Sequence, residues 1–386
     1  MFIKRKAENI LLKMLHTSKI GIIVGARQVG KTTLIQHVFK DEKVIFLNMD
    51  VEVDRQRFLS VSSLNPTHAI LLFGNPKIFV LDEAQRLPEA ARIIKGWYDA
   101  STQVKIFLLG SSSLNLLNQA AESLAGRNEK LFLPQLAFRE ILAAQEWYSD
   151  TFTDDHILKY FSGQVHEILM QSIVFGSYPE AITTHEKETF LIQLSSDYLL
   201  KDILQIGLVK TPVSLHRLLM LLAHQIGSEV SVHELSIALG ISRQTVERYI
   251  ELLEQTYVIF CLPAFSTNPR KEISKSKKIY FWDTGVRNAI LKEFSQSPLR
   301  SDIGALWENW VISEWAKDNL LRGGTRSLYF WRSRFGGEVD LIVKEGDALS
   351  AYEIKWKKKT FKKTSFSKSY ETDVQLIESG NPLMVY

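Results

Sequence analysis

The sequence predicts an α/β chain: a parallel sheet first, a helical middle next, and a smaller α/β region at the end. Three observations carry this. Short apolar runs alternate with helical patterns over residues 1–140, Leu and Ile at spacings of three and four replace them up to about 260, and a helix-like stretch with two strand-like runs lies beyond 298. The opening runs are 19–24 (KIGIIV), 44–48 (VIFLN), 78–81 (IFVL), 104–109 (VKIFLL) and 131–136 (LFLPQL). Runs without polar alternation are those of strands covered on both faces, as in a parallel sheet with helical crossovers. The stretch 186–206 reads as helix, and 266–278 (STNPRKEISKSKK) as a polar linker. Three units are expected, at 1–140, 141–270 and 271–386.

Composition bounds the function. A chain of 386 residues, 45% hydrophobic and 23% charged, is globular and too long for one ordinary domain. Forty-seven basic against 43 acidic residues leave a mild +4, so only the placement of charge can argue for a polyanionic partner. The single cysteine, Cys261, excludes an intrachain disulfide framework and a cysteine zinc site. No apolar run reaches the roughly 18–20 residues of a membrane helix, and the basic start MFIKRKAENILLKML lacks a leader's apolar core. A soluble, cytoplasmic protein without a membrane partner is expected.

The most specific signal is Gly25-Ala26-Arg27-Gln28-Val29-Gly30-Lys31-Thr32, followed by Thr33, between an apolar strand and a helical stretch. This is G-x-x-x-x-G-K-[ST]: glycines let the backbone turn successive N–H groups onto phosphate oxygens, and the helix start adds its positive dipole end. Lys31 is expected on the β- and γ-phosphates of ATP and Thr32 on Mg²⁺. The run 78–81 ends in Asp82 and Glu83. Asp82 suits the metal shell, and Glu83 the attacking water. Ser111, Ser112 and Ser113 follow the run 104–109, at the edge where open α/β sheets bind ligands. One of them senses the γ-phosphate, or they cap a helix before Leu114.

The phosphate loop, IFVLDEAQ, LLGSSS, SLAGR (123–127), LPQLAFRE (133–140) and GSYPEAI (176–182) together resemble a prokaryotic AAA+-type P-loop ATPase family, over essentially the whole chain. The resemblance implies a C-terminal domain of unknown function, and implies that Arg127 lies near the nucleotide or a subunit boundary. Arg127 has the residue type of an arginine finger, and equally that of a helix C-terminal arginine beside Gly126. Proteins of this type often form rings, so a homo-oligomer is open.

In the middle region, HELSIAL stops at Gly240, and Ser242 is placed to cap a second helix. This spacing predicts a helix-turn-helix, with YVIFCLPAF as a wing. Arg243, Gln244, Thr245 and Arg248 fall on the exposed face of the second helix, suited to DNA. A rigid spacer or protein contact is the alternative, since Glu247, Glu251 and Glu254 oppose a polyanion.

Near the end, Asp340, Glu353 and Lys355 form D-x12-E-x-K on a predicted hairpin. Glu353 and Lys355 are two apart in a strand and share a face. With Asp340 opposite, two carboxylates meet an ammonium, a set that can bind Mg²⁺ or Mn²⁺ for phosphodiester cleavage. Glu308, on the preceding helix, completes the set, with Glu314 in reserve. The pattern resembles the PD-(D/E)XK restriction-endonuclease-like fold. Downstream, Lys357, Lys358, Lys359, Lys362, Lys363 and Lys368 are interspersed with Trp356, Phe361 and Phe366, as suits nucleic acid, DNA more than RNA, or a solvated tail. Trp307, Trp310 and Trp315 are expected in a core, and Asp283, Gly285 and Pro179 in turns. The expected function is an ATPase coupled to a DNA-binding or DNA-cleaving module. The alternative is an ATP-dependent switch whose nuclease-like domain only binds.

Overall fold

The strand Ile20–Val24 (β1) is buried along its whole length, and so is Ile78–Asp82 (β3), as strands with helices on both faces must be. With Val44–Asn48 (β2), Lys105–Gly110 (β4) and Asn128–Phe132 (β5) they make a parallel sheet in the order β2-β3-β4-β1-β5. The computed structural model describes residues 2–111, 123–198, 211–266, 277–333, 337–357 and 365–385. Helices Ala7–Leu15 (α1), Lys31–Val38 (α2), Glu52–Ser60 (α3), Pro66–Leu72 (α4) and Ala90–Asp99 (α5) accompany the sheet. The fifth strand lies earlier than the run 131–136 suggests: Leu133 donates its N–H to Val24 (2.8 Å), and Pro134, having none, ends the ladder. Phe58, Phe73, Phe79 and Trp97 pack edge-on or tilted in its core, with ring centroids 5.0–6.3 Å apart.

The chain divides into two compact units, Lys4–Pro134 and a second comprising Met1–Ile3 with Gln135–Tyr386. The second opens with helices Phe138–Ala143 (α6), Asp154–Tyr160 (α7), Ser162–Phe175 (α8), Pro179–Thr183 (α9), Lys187–Gln193 (α10) and Pro212–His224 (α11). Val232–Leu239 (α12) and Arg243–Gln255 (α13) follow, then strands Ile259–Pro263 (β6) and Lys277–Phe281 (β7). The expected boundary at 270 corresponds to no division between units, because β6 and β7 pair antiparallel across it. Thr284–Leu291 (α14) and the 19-residue Ile303–Leu321 (α15) come next.

The end of the chain holds four strands where the sequence shows two. Ser327–Arg332 (β8), Glu338–Glu345 (β9) and Ala348–Lys355 (β10) are antiparallel neighbours; after Ser365–Tyr370 (α16), Val374–Glu378 (β11) pairs parallel with β10. The long helix α15 packs on β7 and β10 and buries Trp307, Trp310 and Trp315, the first two stacked at 5.2 Å. Asn309 grips both backbone groups of Phe281, donating to its carbonyl and accepting from its N–H at 2.8 Å each. That clamp sets α15 against β7. Asp283 caps α14 through Val286 N–H (3.1 Å), Gly285 lies within that helix and Pro179 opens α9, so these residues start helices where turns were expected.

Candidate functional site

The phosphate loop joins β1 to α2. Gly25 is required there, because a Cβ would collide with the Leu133 carbonyl, and Gly30 lies at φ +92°, where other residues are strained. Lys31 is buried, and its Nζ donates to the carbonyls of Gly25 (2.8 Å) and Ala26 (2.9 Å). Thr32 Oγ1 donates to Asp82 Oδ2 at 2.6 Å, so the hydroxyl and carboxylate expected on the metal stand together. Two hard oxygen donors beside a phosphate cradle suit Mg²⁺, which takes one or two protein oxygens and completes its shell with phosphate and water. Arg27 is half-buried, while Gln28 (φ +60°) and Thr33 are exposed.

Because β4 lies between β1 and β3, its end brings Ser111 beside Glu83. Ser111 Oγ donates to Glu83 Oε2 (3.1 Å), Gln85 Nε2 donates to that same oxygen, and Gln85 also reaches Ser111 (3.2 Å). Ser111 thus orients the acid. Gln85 is a residue the sequence reading missed, although it stands in the same IFVLDEAQ run. Ser112, Ser113 and Leu114 lie outside the described residues.

Of the places open to Arg127, the structure removes one, the nucleotide site of its own chain. It precedes β5, and its carbonyl accepts from Ile20 N–H (2.9 Å) at the start of β1, on the sheet edge opposite the phosphate loop. Its guanidinium pairs with Asp99 (2.7 Å) near the surface. It does not reach the nucleotide site of its own chain.

With this geometry, comparison places the domain. Residues 17–142 match the family model described as "AAA domain". The chain carries an AAA-type ATPase domain, and is an ATP-hydrolysing enzyme. Residues 166–297 and 303–386 match two domains of unknown function, DUF8612 and DUF4143. An uncharacterized protein of Mycobacterium tuberculosis is 28% identical over 358 residues, covering 91% of this chain and 74% of its own. One from Methanocaldococcus jannaschii is 28% identical over 380 residues, covering 94% and 80%. Among solved structures, the Walker-type ATPase of Pyrococcus abyssi is similar in fold, with a TM-score of 0.51, 15% identity, and coverage of 75% of this chain and 96% of that one. Among the described residues, no helix is long and apolar enough to cross a membrane.

Beyond the ATPase domain, α15, β7, β9 and β10 bring a second set of charged groups together. Glu308 Oε1 accepts from Tyr280 OH (2.8 Å) and from Lys278 Nζ (3.3 Å), and Lys278 also pairs with Glu338 (2.7 Å). Asp340 Oδ2 accepts Ile354 N–H (2.7 Å) and meets Lys355 Nζ at 3.1 Å; Lys355 pairs with Glu353 at 2.7 Å. Among the described residues, buried Glu353 Oε2 has no hydrogen-bond partner. Burial and then the Asp340 charge raise the Glu308 carboxyl to about 7, and the same two causes raise Glu353. Burial alone would lower Lys355, but Asp340 and Glu353 outweigh it and hold its ammonium above its usual range. Lys278 follows the same logic with Glu308 and Glu338.

The structure therefore brings Glu308, Asp340, Glu353 and Lys355 into one neighbourhood and leaves Glu314 out, buried against Lys317 (2.8 Å) and Phe138 N–H (2.8 Å). The expected metal pair Asp340 and Glu353 share Lys355 as an ion-pair partner. Lysines and a backbone N–H hold these carboxylates, and no three His, Cys, Asp or Glu side chains converge to hold an ion among the described residues. Lys278 and Tyr280 were missed; their two-residue spacing in KKIYF, on one face of a strand, was the available signal.

The helix pair α12 and α13 meets at Gly240 (φ +66°), and Ser242 caps α13 through Thr245 N–H (3.2 Å). Arg243, Gln244 and Arg248 are exposed, with Arg243 bonded to His233 Nδ1 (2.8 Å). Lys357 is exposed; Lys358, Lys359, Phe361, Lys362 and Lys363 lie outside the described residues.

Proposed function

We propose that ATP hydrolysis in the first unit drives a C-terminal module of restriction-endonuclease-like architecture that binds or cleaves DNA. The observation that carries this reading is the cluster of Glu308, Asp340, Glu353 and Lys355 on a helix–three-strand–helix–strand element, with the last strand parallel to its neighbour. In the ATPase, Lys31 holds the phosphates, Thr32 and Asp82 hold Mg²⁺, and Glu83 orients the attacking water and takes its proton. The ion, when bound, neutralises developing phosphate charge. Ser111 and Gln85 keep the Glu83 carboxylate aimed. In the C-terminal module, Asp340 and the buried Glu353 oxygen would be the donors for Mg²⁺ or Mn²⁺, with Lys355, which pairs with both, balancing charge. The exposed Arg243, Gln244 and Arg248 on a capped second helix, followed by the β6–β7 hairpin, support a winged-helix contact with DNA. Lys357 begins the basic tract that would extend it. Because Arg127 faces away from its own phosphate loop, a finger role requires a second copy of the chain.

A second reading is favoured by Lys278. Its ammonium already bridges Glu308 and Glu338, where a metal would otherwise offset their charge. On that reading the module binds nucleic acid or protein without cutting, and ATP sets its conformation. Nuclease assays with Mg²⁺ or Mn²⁺, with and without ATP, separate the two. Cleavage by the wild type that is lost in Asp340→Ala supports the enzyme, whereas no cleavage with either metal supports the switch.

A further inference from the structure

Arg5 lies in the basic opening segment, where an arginine side chain would ordinarily be exposed. Instead its side chain is 5% exposed. Its NH1 donates to the carbonyl of Val29 (3.0 Å), and its NH2 to the carbonyl of Pro134 (2.7 Å). The first acceptor is inside the phosphate loop, 24 residues away; the second is 129 residues away, one residue past Leu133, whose N–H closes on Val24 at the loop's base. A buried arginine is thus given over in part to fixing the backbone at both places.

The peptide between Val29 and Gly30 is planar and trans, so its C=O and N–H point in opposite directions. Holding the Val29 carbonyl on the Arg5 side therefore turns the Gly30 N–H away from Arg5. Gly30 is at φ +92°, and glycine imposes little steric resistance to rotation of that plane. The local sequence does not determine which way this N–H points; a buried carbonyl tied to a fixed donor does.

We infer that Arg5 is a positioning residue of the ATP site, locking the Val29–Gly30 peptide so that the Gly30 N–H is presented to nucleotide phosphate. This rests on the phosphate-loop assignment of Gly25–Thr32. Arg5 does not touch the nucleotide; it acts through the peptide plane.

The test measures affinity for a fluorescent ATP analogue, the hydrolysis rate and the melting temperature without nucleotide. It compares wild type with Arg5→Met, Arg5→Lys, Lys31→Ala and Leu11→Ala in the full chain. Leu11 is fully buried in α1 and is not one of the groups assigned to the loop, so its truncation reports general loosening. Arg5→Met should weaken nucleotide binding about tenfold or more, as expected for losing two hydrogen bonds from a charged donor. Arg5→Lys, with one compact ammonium, should recover part of that loss. Leu11→Ala should lower the melting temperature while leaving affinity within about twofold. If Arg5→Met does not fold, the lysine variant's affinity relative to Leu11→Ala decides. Affinity unchanged in both Arg5 variants, or lost equally in Leu11→Ala, overturns the inference. Lys31→Ala isolates the premise: if it too binds normally, the phosphate-loop assignment fails rather than Arg5 alone.

Discussion

Lys31 and Lys355 both stand beside acidic strand ends, yet their surroundings differ. Lys31 donates to neutral carbonyls of its own loop, whereas Lys355 and Lys278 are ion-paired with carboxylates. The first arrangement holds the ammonium at a helix N-terminus, where the charged oxygens of a triphosphate are stronger acceptors than neutral carbonyls. The second is internally balanced: two ammoniums meet Glu308, Glu338, Asp340 and Glu353, and the surplus of negative charge is met partly by a Glu308 carboxyl raised to about 7. An anion entering the first site meets the loop's N–H groups and the Lys31 ammonium. A cation entering the second must displace or join the lysines.

Breaking the first site should have the largest effect. Lys31→Ala should lower steady-state ATP hydrolysis by about 10²-fold or more, in the range for removing one preorganised charge donor. A normal rate would remove the contrast at its root. Glu83→Gln should lower the hydrolysis rate by about 10²–10⁴-fold while nucleotide affinity stays within about threefold, since it removes a proton acceptor and no phosphate contact. In the second site, Asp340→Ala deprives Ile354 N–H of its acceptor and Lys355 of one partner. Urea unfolding should show a loss of about 1–3 kcal/mol.

The pH dependence sharpens the contrast. With its ordinary value at 4.5 and its folded value near 7, Glu308 keeps a proton in the fold that the unfolded chain releases. Its contribution to stability therefore falls as pH rises from about 4.5 to 7 and is flat above and below. Glu308→Gln should abolish that part of the slope in thermal melts taken across the window; an unchanged slope assigns it to another group. The smallest effect is expected from Arg127→Ala. An exposed ion pair with Asp99 is worth little, and hydrolysis should change by less than about twofold. A loss of a hundredfold would instead mean that Arg127 acts on the nucleotide of a neighbouring copy.

The phosphate loop was readable because its eight residues are contiguous and flanked by the strand and helix that its chemistry needs. The ends of β1 and β3 followed from uninterrupted apolar runs. Lys278 and Tyr280 were not readable as part of a site, since they meet Glu308 across 30 and 28 residues of chain, and KKIYF alone reads as a strand with a polar edge. β8 and β11 escaped because short half-buried strands carry no period that a loop cannot imitate. Arg127 stayed open between nucleotide, subunit boundary and helix end because residue type says nothing about which end of a strand it occupies.

By itself, then, the sequence determined the nucleotide-binding chemistry: the loop, the carboxylate pair and the strands that deliver them are local patterns, specified by neighbours in the chain. Tertiary structure decided what surrounds that chemistry. It inserted β4 between β1 and β3 so that Ser111 meets Glu83, tied Arg5 to Val29, and seated α15 on β7 so that Lys278 meets Glu308. Those contacts depend on strand order and on helix packing between distant segments, and no window of sequence specifies which distant carbonyl or carboxylate a buried cation will find.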